Sequence, residues 1–239
     1  IPLFAVTGTN GKTSTTNYLY QLLSNLGVRS GMAGSTGLEL PSGHRSSALT
    51  SIELTSLRKF LRDLTAEGGQ ACAIEVSAHA LVRSRVSGLT FDVAGFTNLS
   101  RDHLDDFGDM EGYFAAKERL FTPSLAKQAA VFVSDSWAEK LASKALIPTL
   151  RVGPGQEVHF EYLDGRLNLS GELNLSVAFP YGELMARNLA LAIAMLHLKG
   201  YSDLELATAA QGLKQVPGRL QLVSDAKPSV YVDYAHTPD

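Results

Sequence analysis

Seven consecutive residues, Gly8-Thr9-Asn10-Gly11-Lys12-Thr13-Ser14, combine two glycines with a lysine and several hydroxyl groups. That set suits a phosphate cradle. Glycines let backbone N–H groups turn inward, a lysine reaches terminal phosphates, and a threonine hydroxyl can serve Mg2+. The flanks supply the elements such a cradle needs. Leu3-Phe4-Ala5-Val6 reads as a short buried strand, and from Lys12 onward Leu19, Leu22, Leu23 and Leu26 fall on one helical face. The helix N-terminus adds its positive dipole end beside the loop. The general P-loop spacing is not met, because Val6 stands where that pattern has its first glycine. The bland alternative is a glycine-bearing turn with a surface lysine.

Three further stretches carry ionisable groups in unexpected places. Ala71-Cys72-Ala73-Ile74-Glu75-Val76-Ser77 reads as a strand buried on both faces and interrupted by Glu75. An unpaired carboxylate is costly there, so Glu75 is expected at the C-terminal end of the strand, facing a cation or a strong donor. His79, Arg83 and Arg85 follow on a helix or irregular turn, and a solvated face explains the two arginines equally well. Residues 91–97 read as another buried strand, which runs into Asn98-Leu99-Ser100-Arg101-Asp102-His103-Leu104-Asp105-Asp106, where five ionisable groups crowd one loop. Imidazole and carboxylate together can ligate Mg2+, although His is an uncommon ligand for so hard a cation and a lone His is more often structural. In a predicted helix over 112–121, Lys117 lies inside the apolar stripe of Tyr113, Phe114, Leu120 and Phe121. Either its stem snorkels to the surface, or its amine is desolvated, largely neutral and available for chemistry.

An alternation of strands and helices must position these groups. Strands over 129–134 and 149–152 flank a helix over 137–145, and the whole pattern argues a parallel sheet with right-handed crossovers. Open parallel sheets place ligands outside the carboxyl ends of their strands, so the Gly8 loop, Glu75 and the loop over 98–106 are expected to converge on one crevice. Residues 29–37 read as a short strand giving way to a glycine-rich loop, and 41–47 as exposed turn material with His44 solvated. Thr50 or Ser51 is expected to N-cap a helix with Glu53 in its first turn and Leu54, Leu57, Phe60, Leu61 and Leu64 on its apolar face. From 158 to 179 the period switches to strict alternation around Asp164-Gly165 and Gly171-Glu172, which reads as antiparallel hairpins at a sheet edge. A strongly apolar helix over 184–198 carries Asn188, a helix over 203–213 is capped by Ser202, and short strands over 220–223 and 230–234 follow Pro217-Gly218-Arg219. The fold class is α/β: a P-loop, Rossmann-like, mostly parallel sheet with flanking helices plus a small antiparallel portion.

Composition narrows the classes further. With 45% hydrophobic and 19% charged residues, the 239-residue chain suits one large, well-packed α/β domain. A net charge of -3 offers no basic surface for nucleic acid, so anionic ligands must be met by local groups and metal ions. The single cysteine, Cys72, lies in an apolar run, which excludes a disulfide framework and fits a reducing cytosol. No signal peptide is visible, and the most apolar helix is too short to span a bilayer.

Six motifs occur in one order: Thr7-Gly8-Thr9-Asn10-Gly11-Lys12-Thr13, Glu75-Val76-Ser77-Ala78-His79-Ala80-Leu81, Thr97 to Asp105 as Thr-Asn-Leu-Ser-Arg-Asp-His-Leu-Asp, Ala115-Ala116-Lys117, Val216-Pro217-Gly218-Arg219, and Val232-Asp233-Tyr234-Ala235-His236-Thr237-Pro238-Asp239. Order and spacing resemble the Mur ligases over nearly the whole chain, and within them the MurE type, the tripeptide-forming ligases of UDP-N-acetylmuramoyl dipeptide. This family's loop is itself of the short form. The departures are local: Ile52 stands where a proline is usual, Ala78 where a second serine is usual, Met185 where an asparagine is usual, and Arg83 where a glutamine is common.

The resemblance implies a cytoplasmic, monomeric, ATP- and Mg2+-dependent ligase that adds a diamino acid to UDP-N-acetylmuramoyl dipeptide through an acyl phosphate. It implies an ATP site of Gly8, Thr9, Asn10, Gly11, Lys12, Thr13 and Ser14, completed by Asn188, Arg219 and Asp233. Thr13 and Glu75 would hold one Mg2+, and His103 with a carbamylated Lys117 a second. Thr50, Ser51, Ser77, Arg83 and Arg85 would hold the muramoyl-peptide substrate. Residues 1–216 would form the central ATP-binding domain and 217–239 a linker and the start of a truncated C-terminal domain, which makes the chain a fragment of a longer protein. Two rivals stand beside this reading, a folylpolyglutamate synthetase-like ligase and a nucleotide-binding module without ligase activity.

Overall fold

Short apolar strands separated by amphipathic helices give this chain its layers; the computed structural model describes residues 1–45 and 53–235. In chain order the elements are β1 (Leu3–Thr7), α1 (Lys12–Asn25), β2 (Ser30–Gly34), β3 (Gly37–Leu40), β4 (Gly43–Arg45), α2 (Leu54–Ala66), β5 (Ala71–Glu75), α3 (Ala78–Val82), β6 (Val93–Phe96), α4 (Leu104–Phe107) and α5 (Met110–Glu118). There follow β7 (Ala129–Phe132), α6 (Ser136–Lys144), β8 (Thr149–Gly153), β9 (Val158–Leu163), β10 (Arg166–Gly171), β11 (Leu175–Ala178), α7 (Glu183–Leu198), α8 (Asp203–Ala209), β12 (Gln221–Ser224) and β13 (Val230–Val232).

Eleven strands form one sheet in the order β11-β10-β9-β8-β7-β6-β1-β5-β2-β3-β4. From β9 across to β2 the pairing is parallel, and both edges turn antiparallel, with β10 and β11 at one side and β3 and β4 at the other. β1 is central. Its neighbours β5 and β6 come from opposite directions of the winding, so the ends of these three strands border the crevice at which open sheets take their ligands.

The alternation of side chains along each strand feeds two cores. Phe4 and Val6 point to the face covered by α1, α7 and α8, while Leu3 and Ala5 point to the face covered by α2, α3, α5 and α6. Helix α7 packs on α1, on α8 and across the sheet at once, which explains a sequence apolar almost all round. α8 starts in a capping box between Ser202 and Glu205. Asp164 and Gly165 both adopt left-handed backbone, as a tight hairpin between β9 and β10 requires. No helix among the described residues is long and apolar enough to cross a membrane.

Three expectations need correction. Residues 43–45 are strand rather than turn: Leu38 to Leu40 and Gly43 to Arg45 pair as β3 and β4 around an exposed turn at Pro41 and Ser42, and Leu40 is buried in the core under α2. Helix α2 starts at Leu54 with an extended Glu53 in the N-cap position, so Glu53 precedes the first turn rather than lying in it; Thr50 and Ser51 lie outside the described residues. Helix α8 stops at Ala209 rather than at 213, where the chain turns through a left-handed Gly212.

This layering predicts where stability resides. Leu22 is fully buried between α1 and the sheet, whereas Leu184 at the start of α7 is 61% exposed. Leu22→Ala is expected to lower the unfolding free energy by about 2–5 kcal/mol in urea titration. Leu184→Ala is expected to change it by no more than about 0.5 kcal/mol.

Candidate functional site

The loop between β1 and α1 is clamped from the end of β6. Asn98 accepts from the Asn10 N–H at 2.9 Å and donates to the Asn10 carbonyl at 3.1 Å, and the Thr97 hydroxyl donates to the same carbonyl at 2.6 Å. The Thr9 N–H donates to the Asn98 carbonyl at 3.0 Å, and the Ser100 N–H donates to Thr9 Oγ1 at 3.0 Å. Gly11 ends the loop as the N-cap of α1 with φ +83°, where a Cβ would collide with Asn188 Oδ1. Asn188 thereby braces the loop from α7; its amide donates to the Leu184 carbonyl at 3.0 Å, and its Oδ1 accepts from Thr15 at 3.4 Å.

Beside the loop, three side chains form a chain of oxygens. Thr13 Oγ1 lies 2.9 Å from Ser35 Oγ, which donates to Glu75 Oε1 at 3.2 Å, and the Ser35 N–H reaches the same oxygen at 3.1 Å. Glu75 is the last residue of β5 and 7% exposed, as the cost of burying a carboxylate led us to expect of its place. Burial pushes its pKa up, while the Lys12 charge and the donors from Ser35 and Thr13 pull it down. Gly34 leaves room for this carboxylate: any Cβ there would overlap Glu75 Oε1.

Two lysine amines meet on one backbone oxygen. Lys12 Nζ donates to the Gly8 carbonyl at 3.0 Å and to the Thr9 carbonyl at 2.6 Å, and Lys117 Nζ donates to the same Gly8 carbonyl at 2.8 Å. Lys12 keeps part of its surface exposed, but Lys117 is only 1% exposed and its Nζ lies 4.3 Å from the centre of the Tyr113 ring. Burial, and then the Lys12 charge, drive the Lys117 pKa well below that of an ordinary lysine against the pull of Asp102. Burial also lowers the Lys12 pKa, with Glu75 and Asp102 opposing. The desolvated alternative for Lys117 is therefore the one that holds, and the amine does not snorkel.

His103 adopts left-handed backbone, φ +53°, at the start of α4. Its Nε2 is 3.3 Å from Asp102 Oδ2, its Nδ1 3.8 Å from Asp106 Oδ2, and its ring packs edge-on against His79 with centroids 5.0 Å apart. Burial lowers its pKa, Asp102 raises it, and the charges of His79 and Lys117 lower it further. Ser77 caps α3 by accepting from the Ala80 N–H at 3.1 Å. Arg83, at the other end of that short helix, is exposed, and Arg85 reaches Glu53 Oε1 at 2.6 Å.

The residues after α8 contribute unequally. Arg219 donates to Thr13 Oγ1 at 3.1 Å and lies over the Tyr234 ring, which brings it to the loop. Asp233 is exposed and accepts from the Leu220 N–H at 2.6 Å, so it fixes the turn into β12 and does not touch the loop. Ser14, next to Thr13, is buried in the first turn of α1. The fold thus gathers Lys12, Thr13, Glu75, Lys117, Asn188 and Arg219 around one loop. Sequence reasoning missed Ser35 and, although it brought the loop from Asn98 to this crevice, assigned no clamping role to Thr97 or Asn98. Asn98 had a signal, since it directly follows a buried strand at the switch point, but Ser35 had none beyond its glycine neighbours.

The family model for the Mur ligase middle domain matches residues 6–196. The UDP-N-acetylmuramyl-tripeptide synthetase of Leifsonia xyli is 42% identical over 99% of this chain and 49% of its own length. A solved UDP-N-acetylmuramoyl-L-alanyl-D-glutamate–2,6-diaminopimelate ligase superposes with a TM-score of 0.85 at 30% identity, over 100% of this chain and 51% of its own. A bifunctional folylpolyglutamate synthase/dihydrofolate synthase from Yersinia pestis shares the fold, with a TM-score of 0.71 at 23% identity over 99% of this chain and 63% of its own. The chain spans about half the length of the muramyl ligases that it matches. With a match that runs from the strand before the lysine loop to the end of α7, the chain belongs to the Mur ligase family.

Proposed function

We propose that this chain is the ATP-handling domain of an amide-forming ligase in peptidoglycan precursor synthesis, one that joins a diamino acid to UDP-N-acetylmuramoyl dipeptide. The observation that carries the reading is the meeting of the Lys12 and Lys117 amines with the Thr13, Ser35 and Glu75 oxygens at one glycine loop. The similarity to muramyl-peptide ligases, at a higher identity than to the folylpolyglutamate synthase, favours a cell-wall substrate over a folate. We place the enzyme in the cytoplasm and read it as a monomer.

A carboxylate does not react with an amine at neutral pH because it lacks a leaving group, so the dipeptide's terminal carboxylate must first take the γ-phosphoryl of ATP. Lys12 would leave the Gly8 and Thr9 carbonyls to meet the phosphates, and the N–H groups at Gly11 and the first turn of α1 would line the same cradle, those of Thr9 and Asn10 being held by Asn98. Asn188, Arg219 and Asp233 would serve the rest of the nucleotide. Ser77, Arg83 and Arg85 would hold the muramoyl peptide, together with Thr50 and Ser51. The acyl phosphate is then attacked by the incoming amine, which parts of the protein beyond this chain would hold.

The donor set fits magnesium. Thr13 and Glu75 offer hard oxygens linked through Ser35, and a carboxylate whose pKa burial has raised gains most from an adjacent cation. When bound, magnesium supplies charge neutralisation between the two anions that must approach each other. His103 and Lys117 would hold a second ion. Lys117 suits that role only after its amine has added CO2, with a new C–N bond, a carboxylate in place of the amine, and one proton released to water. A neutral amine is the form that reacts, and burial supplies it.

Two outcomes follow. Calorimetric titration with Mg-ATP should show Lys12→Ala weakened by about tenfold or more, since a charged phosphate contact is worth about 1.5–3 kcal/mol; equal affinity in both proteins contradicts the assignment. Labelled bicarbonate should give a carbamate carbon signal that Lys117→Ala lacks. The pKa of Lys117 is lowered by folding, so the folded state holds fewer protons than the unfolded one between the two pKa values, and both the carbamate and the protein's stability should increase with pH through that window. A signal that grows as the pH falls contradicts the reading.

A further inference from the structure

Beside the lysine loop, His103 stands in a cluster with His79 and Asp106, two residues that the ligase reading leaves unused. One donor atom from each lies within 4.8 Å of the other two. His79 Nε2 is 3.0 Å and His103 Nδ1 is 3.8 Å from the same oxygen, Asp106 Oδ2. A tetrahedral ion with ligands at about 2.1 Å sets its donors about 3.4 Å apart, so small side-chain adjustments would seat one. Asp102 stands 3.3 Å from the other ring nitrogen of His103, so its negative charge lies on that side of the ring while Nδ1 faces Asp106. Phe107 packs 5.0 Å from His79 and 5.3 Å from Tyr113 between ring centroids, which gives the cluster an apolar wall.

We propose that His79, His103 and Asp106 bind a divalent transition ion of the Zn2+ class at the mouth of the crevice. Two imidazoles with one carboxylate select such ions over magnesium, which prefers oxygen throughout. Three protein ligands leave at least one position for water. A neutral imidazole has one lone pair, so an ion on His103 Nδ1 and a magnesium ion on the same ring exclude each other. That consequence rests on the magnesium ligands proposed above, while binding itself does not.

The test is a titration of the 239-residue chain with Co2+ in excess Mg2+, read in the visible spectrum. Four- or five-coordinate cobalt should give strong absorption that Zn2+ abolishes by displacement. His79→Gln and Asp106→Asn should each weaken binding by about tenfold or more, and His44→Gln, at the separate imidazole–carboxylate pair with Glu39, should leave it unchanged. Both cluster residues are partly exposed, and thermal unfolding of each variant checks that it is folded. Only the weak spectrum of hydrated cobalt, or wild-type affinity in both cluster variants, overturns the proposal.

Discussion

A single backbone oxygen, the carbonyl of Gly8, accepts a hydrogen bond from each of two lysine amines, and the remaining features of the site depend on that arrangement. Two ammonium groups that share one acceptor repel each other, and the more deeply buried of them loses its hydration as well. A hydrogen bond to a charged group returns only about 1.5–3 kcal/mol. Repulsion and burial together favour the neutral form of the more deeply buried amine. Lys117 is that amine, because it is 1% exposed, whereas Lys12 retains solvent contact and has the Glu75 carboxylate to favour its charge. The loop thus pairs a lysine whose charge Glu75 favours with a buried amine biased towards its neutral form.

The fold supplies the rigidity that this division of labour needs. β1, β5 and β6 lie side by side, so the carbonyl of Gly8, the carboxylate of Glu75 and the clamp of Thr97 and Asn98 issue from adjacent parallel strands. α7 adds Asn188 behind Gly11, and α5 carries Lys117 in from the other face of the sheet. The two faces thus converge on one loop. Helices anchored in separate cores position its contacts, and loops contribute mainly backbone.

Much of this was legible in the chain. The lysine loop, the misplaced carboxylate in a buried strand and the lysine inside an apolar stripe each broke a local pattern, and each breach marks a member of the site. The alternating segment from 158 to 179 announced its hairpins through Asp164-Gly165. What could not be read was long-range or unpatterned. Ser35 matters because β2 pairs with β5, a contact between residues 40 apart in sequence. The strands β3 and β4 hid behind Pro41 and Ser42, turn residues that join them rather than end the sheet. The start of α2 misled because Glu53, an acidic residue suited to a first turn, takes the N-cap position instead, and backbone geometry decides between the two.

Nitrogen-15 NMR of the lysine side chains, titrated across neutral pH with Lys117→Met for assignment, tests the central claim most directly. The account predicts one amine that titrates well below an ordinary lysine and is absent from the Lys117→Met spectrum. A spectrum in which Lys117 titrates at about 10.4, as an ordinary lysine does, would contradict it.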